Sequence, residues 1–107
     1  MGEIKDEELD VCSRAIQKFG KEKQLDMAIE ELSELIKAIV KYRRHSWNTV
    51  WRIKVLEECA DVEMMVLQLR LILEADSGEF NRIKTNKIMN LDAIIKNDDP
   101  MRGLGKR

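Results

Sequence analysis

Apolar residues recur along the chain at the three- and four-residue spacing of amphipathic helices. Polar or glycine-containing breaks separate four such stretches. They predict helices at residues 6–19, 23–43, 47 or 49 to 75, and 79–96. Short connections favour antiparallel packing of neighbouring helices. The pattern therefore predicts an all-α, four-helix bundle-like fold.

The third predicted helix differs from the others in being apolar on several sides between Ala60 and Leu73. A helix that is apolar nearly all round is typically buried, so we expect it to be the central one. No repeat or change of composition divides the chain. We therefore predict a single domain over residues 1–107, with residues 97–107 as a flexible tail because they contain Asp-Asp-Pro and two glycines.

Charge and cysteine content narrow the classes of function. The formal net charge of −1 argues against a nucleic-acid partner, including a small DNA-binding helical protein. Cys12 and Cys59 have neither metal-ligand nor disulfide spacing, and we expect both to be reduced. No stretch predicts a signal peptide or a membrane span. These features lead us to expect a cytoplasmic protein without a membrane partner.

Acidic residues interrupt the apolar pattern on two helices. On the second helix, Glu31 and Glu34 lie together beside an apolar arc centred on Leu32, whereas Glu30 points further towards solvent. On the third helix, Glu58 and Asp61 lie within the apolar stripe. Each pair has the i, i+3 spacing that puts both side chains on one face. Two pairs of carboxylates therefore lie where the helices are expected to pack.

Such carboxylates need a partner. If the two helices pack side by side, each like-charged pair about 4 Å apart costs roughly 4 kcal/mol at an effective dielectric constant near 20. A divalent cation removes that repulsion, and an all-oxygen ligand set favours Mg²⁺, with Mn²⁺ as a possible substitute. A ferritin-like di-iron site would need Glu-x-x-His motifs, which are absent because the single histidine, His45, follows Tyr42 at that spacing.

The fourth helix has cations where apolar residues are expected. Lys87 lies in the middle of the apolar stripe formed by Phe80, Ile83, Leu91 and Ile94, and Lys84 lies at its edge. Inward-facing lysines beside an acidic metal site are what a polyphosphate substrate requires, since metal and lysines neutralise different phosphate oxygens.

The acidic residues, taken in order, resemble the EExxE…ExxD signature of the MazG-like all-α nucleoside triphosphate pyrophosphohydrolases. Glu30, Glu31 and Glu34 form the first part, and Glu58 and Asp61 follow after 23 residues. This superfamily is related to the dimeric dUTPases. The resemblance to its small single-domain members extends roughly over residues 19–91.

The resemblance implies Mg²⁺-dependent hydrolysis of (deoxy)nucleoside triphosphates to the monophosphate and pyrophosphate, in a role such as nucleotide-pool clean-up. The metal ligands would be Glu31, Glu34, Glu58 and Asp61. Glu34 and Glu31 would be the catalytic residues, with Glu34, as a carboxylate not fully engaged with the metal, the candidate general base.

The resemblance also implies that substrate is bound by Lys84 and Lys87, the basic pair of the last helix, and by Asn86. Arginine is usual in the family at the position of Lys87. Because one protomer offers little surface to enclose a base, and because the family forms dimers and tetramers, we expect a homodimer or homotetramer.

Other interpretations remain open from the sequence. The carboxylates could form interhelical salt bridges, and Lys87 could extend its ammonium group to water. Trp47 and Trp51 could stack on a base, although packing is the commoner role of such residues, and Glu57 could assist the site. The main alternative function is a non-catalytic helical module that binds a nucleotide or a protein.

Overall fold

The computed structural model describes residues 6–97 and leaves out residues 1–5 and 98–107. Its regular structure over that range is entirely helical, which confirms the all-α prediction. The four helices are α1 (Asp6–Phe19), α2 (Lys21–Arg44), α3 (Thr49–Ile72) and α4 (Ser77–Asn97). Residues 98–107 of the predicted flexible tail lie outside the described range, and Asn97 is the last residue of α4. No helix within residues 6–97 is long and apolar enough to cross a membrane.

Local chemistry explains where α2 and α3 begin and end. Gly20 has a φ of 90°, a backbone conformation that glycine adopts without steric cost, and α2 begins directly after it, earlier than predicted. At the start of α3, the Asn48 side-chain oxygen accepts a hydrogen bond of 2.7 Å from the Val50 backbone N–H. Helix α3 ends at Ile72 rather than at Ala75, because Glu74 has a φ of 56° and cannot continue the helix.

The chain divides into two compact units after Glu74. In the first unit, α3 contacts both α1 and α2, and α1 also contacts α2. Each of these three helices therefore contacts the other two, and the central position of α3 stays a prediction. The second unit contains α4. Its Ile83, Leu91 and Ile94, which we expected to face inward, are 52%, 56% and 50% exposed.

The core of the first unit is small and unusually polar. The buried apolar side chains among the described residues are Cys12, Ala28, Ala38 and Met65. Three polar side chains are buried with them: Gln24, Glu58 and Gln68. Between Ala60 and Leu73, the stretch expected to be buried nearly all round, Met64 and Leu73 are 52% and 74% exposed, so that expectation is wrong.

Two rows of residues with alternating four- and three-residue spacing run along the face where α2 meets α3. We call them the inner seams. The inner seam of α2 is Gln24, Ala28, Glu31, Leu35 and Ala38; the inner seam of α3 is Lys54, Glu58, Asp61, Met65 and Gln68. Direct contacts between Gln24 and Gln68 and between Glu31 and Asp61 join the two seams. Much of this helix–helix contact is therefore polar.

The apolar arc predicted on α2 is only partly buried. Its centre, Leu32, is 44% exposed. It belongs to a second row with the same spacing, the outer seam, which is exposed along its whole length and consists of Leu25, Ile29, Leu32, Ile36 and Ile39. Helix α2 is thus rotated about its axis from the predicted orientation, so that one edge of the apolar arc packs within the unit and the rest faces outward.

Candidate metal centre

Three of the four predicted metal-binding carboxylates come together between α2 and α3. Glu31 on α2 and Glu58 and Asp61 on α3 can each offer one oxygen such that all three oxygens lie within 4.8 Å of one another. We call these three residues the acidic cluster. Its position follows from the inner seams, because Glu58 and Asp61 are one turn apart on α3 and Glu31 faces them from α2.

Burial differs sharply among the three carboxylates. Glu58 is 7% exposed, Glu31 is half-buried and Asp61 is exposed. The cluster therefore has a buried floor at Glu58 and opens to solvent at Asp61. A site of this shape can hold a cation on its inner side and leave its outer side available to a ligand or to water.

The buried floor carries an unsatisfied acceptor. Glu58 Oε1 is buried and has no hydrogen-bond partner, and Oε2 lies 3.7 Å from Lys54 Nζ. Buried polar atoms are nearly always paired, and a buried charge without a partner is costly. Oε1 is therefore an acceptor that a cation or a hydrogen-bond donor could engage.

The proximity of the carboxylates also affects their protonation. Partial burial raises the pKa of Glu31 above the usual value of a glutamate, and the charge of Asp61 adds to this effect, as do a hydrogen bond with Asp61 and the charge of Glu58. Each of these interactions disfavours the ionised form of Glu31. Glu31 therefore holds a proton more readily than an ordinary surface glutamate does.

Lys54 is a feature of the site that sequence reasoning missed. Its Nζ lies 3.7 Å from Glu58 Oε2 and 3.9 Å from Glu57 Oε1, and half of its side chain is exposed. The available signal was the i, i+4 spacing from Lys54 to Glu58, which places opposite charges next to each other on a helix. Lys54 supplies one positive charge beside the acidic cluster, which is not enough to neutralise the three carboxylates of the cluster.

Glu34, the fourth predicted ligand, lies outside the acidic cluster. Its side chain is 44% exposed, and its Oε1 is 4.0 Å from Lys37 Nζ on the same helix. Glu30 is exposed, as the helix geometry predicted. The metal-binding and catalytic roles of Glu34 stay predictions.

The predicted substrate-binding residues lie on α4, in the second unit. Lys84 is half-buried, whereas Lys87 and Asn86 are exposed. The two lysines share a shallow apolar hollow on the surface of this helix with Phe80, Ile83, Ile88 and Leu91. Their roles as phosphate ligands, like that of Asn86, stay predictions.

The aromatic residues near the α2–α3 turn pack against one another. Trp47 meets Tyr42 edge to face with ring centroids 4.9 Å apart. Trp51 stacks on His45 at 5.7 Å, and Lys41 Nζ lies 5.3 Å from the Trp51 ring centroid. Trp51 thus packs within the chain, whereas Trp47 is still 63% exposed.

The donor set of the acidic cluster fits a hard divalent cation. Three carboxylate oxygens would leave several of the six positions around Mg²⁺ for water and phosphate, which is the usual arrangement for this ion in enzymes that act on nucleotides. Comparison of the chain with protein-family models, with curated proteins and with solved structures found no match. The acidic cluster and the sequence motif are therefore the features of this chain that bear on its function.

Proposed function

We propose that the protein is a Mg²⁺-dependent nucleoside triphosphate pyrophosphohydrolase. The observation that carries the proposal is the acidic cluster of Glu31, Glu58 and Asp61: each can offer one oxygen within 4.8 Å of the others, and Glu58 also has a buried Oε1 without a hydrogen-bond partner. Ordinary surface acids do not combine close approach with burial of an unpaired oxygen. The resemblance of these residues to the EExxE…ExxD motif supports the choice of substrate class.

The reaction adds water across the phosphoanhydride between the α and β phosphates, and gives a nucleoside monophosphate and pyrophosphate. Glu31, Glu58 and Asp61 would hold the ion. When bound, Mg²⁺ neutralises phosphate oxygens and lowers the pKa of water. Mn²⁺ has the same ligand preference and could substitute.

The attacking water must give up a proton, and the motif offers Glu31 and Glu34 as candidate acceptors. Of these two, Glu31 lies in the acidic cluster. Glu34, the other carboxylate suggested by the motif, lies outside the cluster beside Lys37. The family resemblance also implies that Lys84, Lys87 and Asn86 on α4 bind substrate.

A homo-oligomer, a dimer or a tetramer, is part of the proposal. The outer seam of α2 exposes a row of large apolar side chains with the heptad-like spacing that pairs helices. Ile29 and Ile36, at 67% and 63% exposure, extend on either side of Leu32. An antiparallel pairing of two copies of α2 about a two-fold axis near Leu32 would cover the whole row with one self-complementary contact.

The direct test is an assay of the full-length protein against canonical and modified (d)NTPs, with Mg²⁺, with Mn²⁺ and with EDTA. We expect pyrophosphate and the monophosphate as products, and only with a divalent ion. Asp61→Asn should abolish turnover without loss of helix content, measured by circular dichroism. Asp10→Asn, which makes the same chemical change in a surface ion pair of α1, should leave turnover unchanged.

Two results would overturn the proposal. One is the absence of pyrophosphate release from every (d)NTP with either metal, which is what a non-catalytic binding module would show. The other is turnover that survives Asp61→Asn.

A further inference from the structure

The most unusual contact inside the first unit is a buried pair of glutamines. Gln24 Nε2 on α2 donates a hydrogen bond of 2.7 Å to Gln68 Oε1 on α3. The two residues are 6% and 5% exposed. Glutamine is mostly found at protein surfaces, so two buried copies that pair with each other are informative. Apart from this pair, the one buried polar side chain among the described residues is Glu58 of the acidic cluster.

The glutamine pair and the acidic cluster lie on the same two seams at matching positions. Helices α2 and α3 run antiparallel across a short turn, and Gln24 faces Gln68. Seven residues further along α2 is Glu31, and seven residues back along α3 is Asp61, so these two must also face each other. Seven residues are about two helical turns, or about 10.5 Å of helix.

Apolar packing alone defines this alignment poorly. The apolar members of the inner seams are Ala28, Leu35, Ala38 and Met65, of which two are alanines. Small, regularly spaced side chains let two helices slide by a turn without a large loss of contact. A buried hydrogen-bonded pair does not allow this, because a slip would break the hydrogen bond between the two buried amides. Single buried polar residues fix the register of coiled coils in the same way.

We infer that Gln24 and Gln68 are positioning residues: their buried hydrogen bond sets the register of α2 against α3, and so places Glu31 against Asp61. The consequence for the metal site rests on the proposed function. The register itself does not, and the two can be tested separately.

The test compares Gln24→Leu, Gln68→Leu and the double variant Gln24→Leu/Gln68→Leu in the full-length protein. Each single variant leaves one amide buried without its partner and should lower the melting temperature. The double variant removes both amides and should recover much of that loss. Without a metal, the wild type should give one set of amide NMR signals from α2, and the double variant broadened or multiple sets. A double variant with one set at wild-type shifts would overturn the inference.

The metal site provides the second readout. The Mn²⁺ dissociation constant, measured by calorimetry, should rise about tenfold or more in the double variant, the size of effect seen when groups that orient metal ligands are removed. Met65→Ala is the matched control, because it removes buried apolar volume from the same α3 seam and no polar pairing. It should lower the melting temperature and keep the wild-type Mn²⁺ affinity.

Two further outcomes separate the inference from the proposed function. Unchanged Mn²⁺ affinity in the double variant would show that the glutamine pair does not position the acidic cluster, and would overturn the inference. If the wild type itself binds no Mn²⁺, the proposed function is refuted, and the metal-free NMR comparison still decides the register.

Discussion

Glu58→Gln should raise the stability of the metal-free protein relative to the wild type and lower that of the metal-bound protein. The substitution keeps the shape of the side chain and removes its charge from the floor of the acidic cluster. At 4.8 Å, the upper limit of the separations, each like-charged pair costs about 3.5 kcal/mol at an effective dielectric constant near 20. Glu58 takes part in two such pairs, with Glu31 and with Asp61.

One attraction opposes this repulsion. Lys54 Nζ lies 3.7 Å from Glu58 Oε2, which corresponds to about 4.5 kcal/mol on the same scale. The repulsion exceeds it by about 2–3 kcal/mol, and water around the exposed Asp61 and the half-buried Glu31 reduces the difference to about 1–2 kcal/mol. We therefore expect metal-free Glu58→Gln to be more stable than the wild type, with a melting temperature about 5–10 °C higher.

Addition of Mg²⁺ should reverse the order of the two melting temperatures, so that the wild type becomes more stable than Glu58→Gln. Ligand binding stabilises a protein by about 2.7 kcal/mol at a concentration one hundred times the dissociation constant, so the wild type should gain in melting temperature. Glu58→Gln should gain little, because the cluster has lost its most buried ligand. Calorimetry in EDTA and in Mg²⁺ at pH 8 measures both effects.

Glu57→Gln is the matched control. Glu57 is the neighbouring residue and lies 3.9 Å from the same Lys54 Nζ, but it lies outside the acidic cluster. Without metal, Glu57→Gln should not have a higher melting temperature than the wild type. With Mg²⁺, its melting temperature should rise as much as that of the wild type. A metal-free Glu58→Gln that is less stable than the wild type would refute the reasoning, since Glu58 would then be a structural ion-pair partner of Lys54.

Three further predictions concern pH, the counter-charge and assembly. The folded state raises the pKa of Glu31, so the contribution of this group to stability is present at acidic pH and is lost as pH rises through the carboxyl range. In EDTA, Glu31→Gln should therefore have a higher melting temperature than the wild type at pH 7. The difference in melting temperature should be smaller near pH 4. Lys54→Met removes the positive charge that competes with Mg²⁺ for Glu58. It should tighten Mg²⁺ binding in a calorimetric titration and lower the stability of the metal-free protein. Weaker Mg²⁺ binding would contradict this role of Lys54. Leu32→Glu puts a charge at the centre of the outer seam and should reduce the molar mass measured by light scattering. The control Lys37→Glu, at an exposed polar position of α2, should leave the molar mass unchanged.

Much of the secondary structure followed from the sequence alone. Apolar residues at helical spacing, with a glycine or a polar break between the stretches, were enough for four helices, because both signals act within a few residues of the chain. The positions of Glu58 and Asp61 on one face of α3 were predictable for the same reason, since an i, i+3 pair shares a face on any helix. The end of α3 was less certain, because it depends on the backbone conformation of Glu74, which carries no strong local signal.

The tertiary structure decided which face of each helix packs against another helix. Leu32 is the centre of the apolar arc of α2, yet it is 44% exposed, whereas Gln24, Ala28 and Ala38, at one edge of that arc and beyond it, are buried. Hydrophobic periodicity identifies an apolar face but not its partner, and an apolar face that stays exposed on this chain has the same pattern as one that packs within it. The buried pairing of Gln24 with Gln68 had no local signal, because it joins residues far apart in the sequence.

The same division holds for the acidic cluster. The sequence identified four carboxylates as candidates, and helix geometry alone put them on two faces. Only the packing of α2 against α3 brought Glu31 to Glu58 and Asp61, left Glu34 beside Lys37, and placed Lys54 at the floor of the site. Composition and periodicity determine which groups can meet, whereas the register and rotation of packed helices determine which of them do, because these depend on contacts between residues distant in the chain.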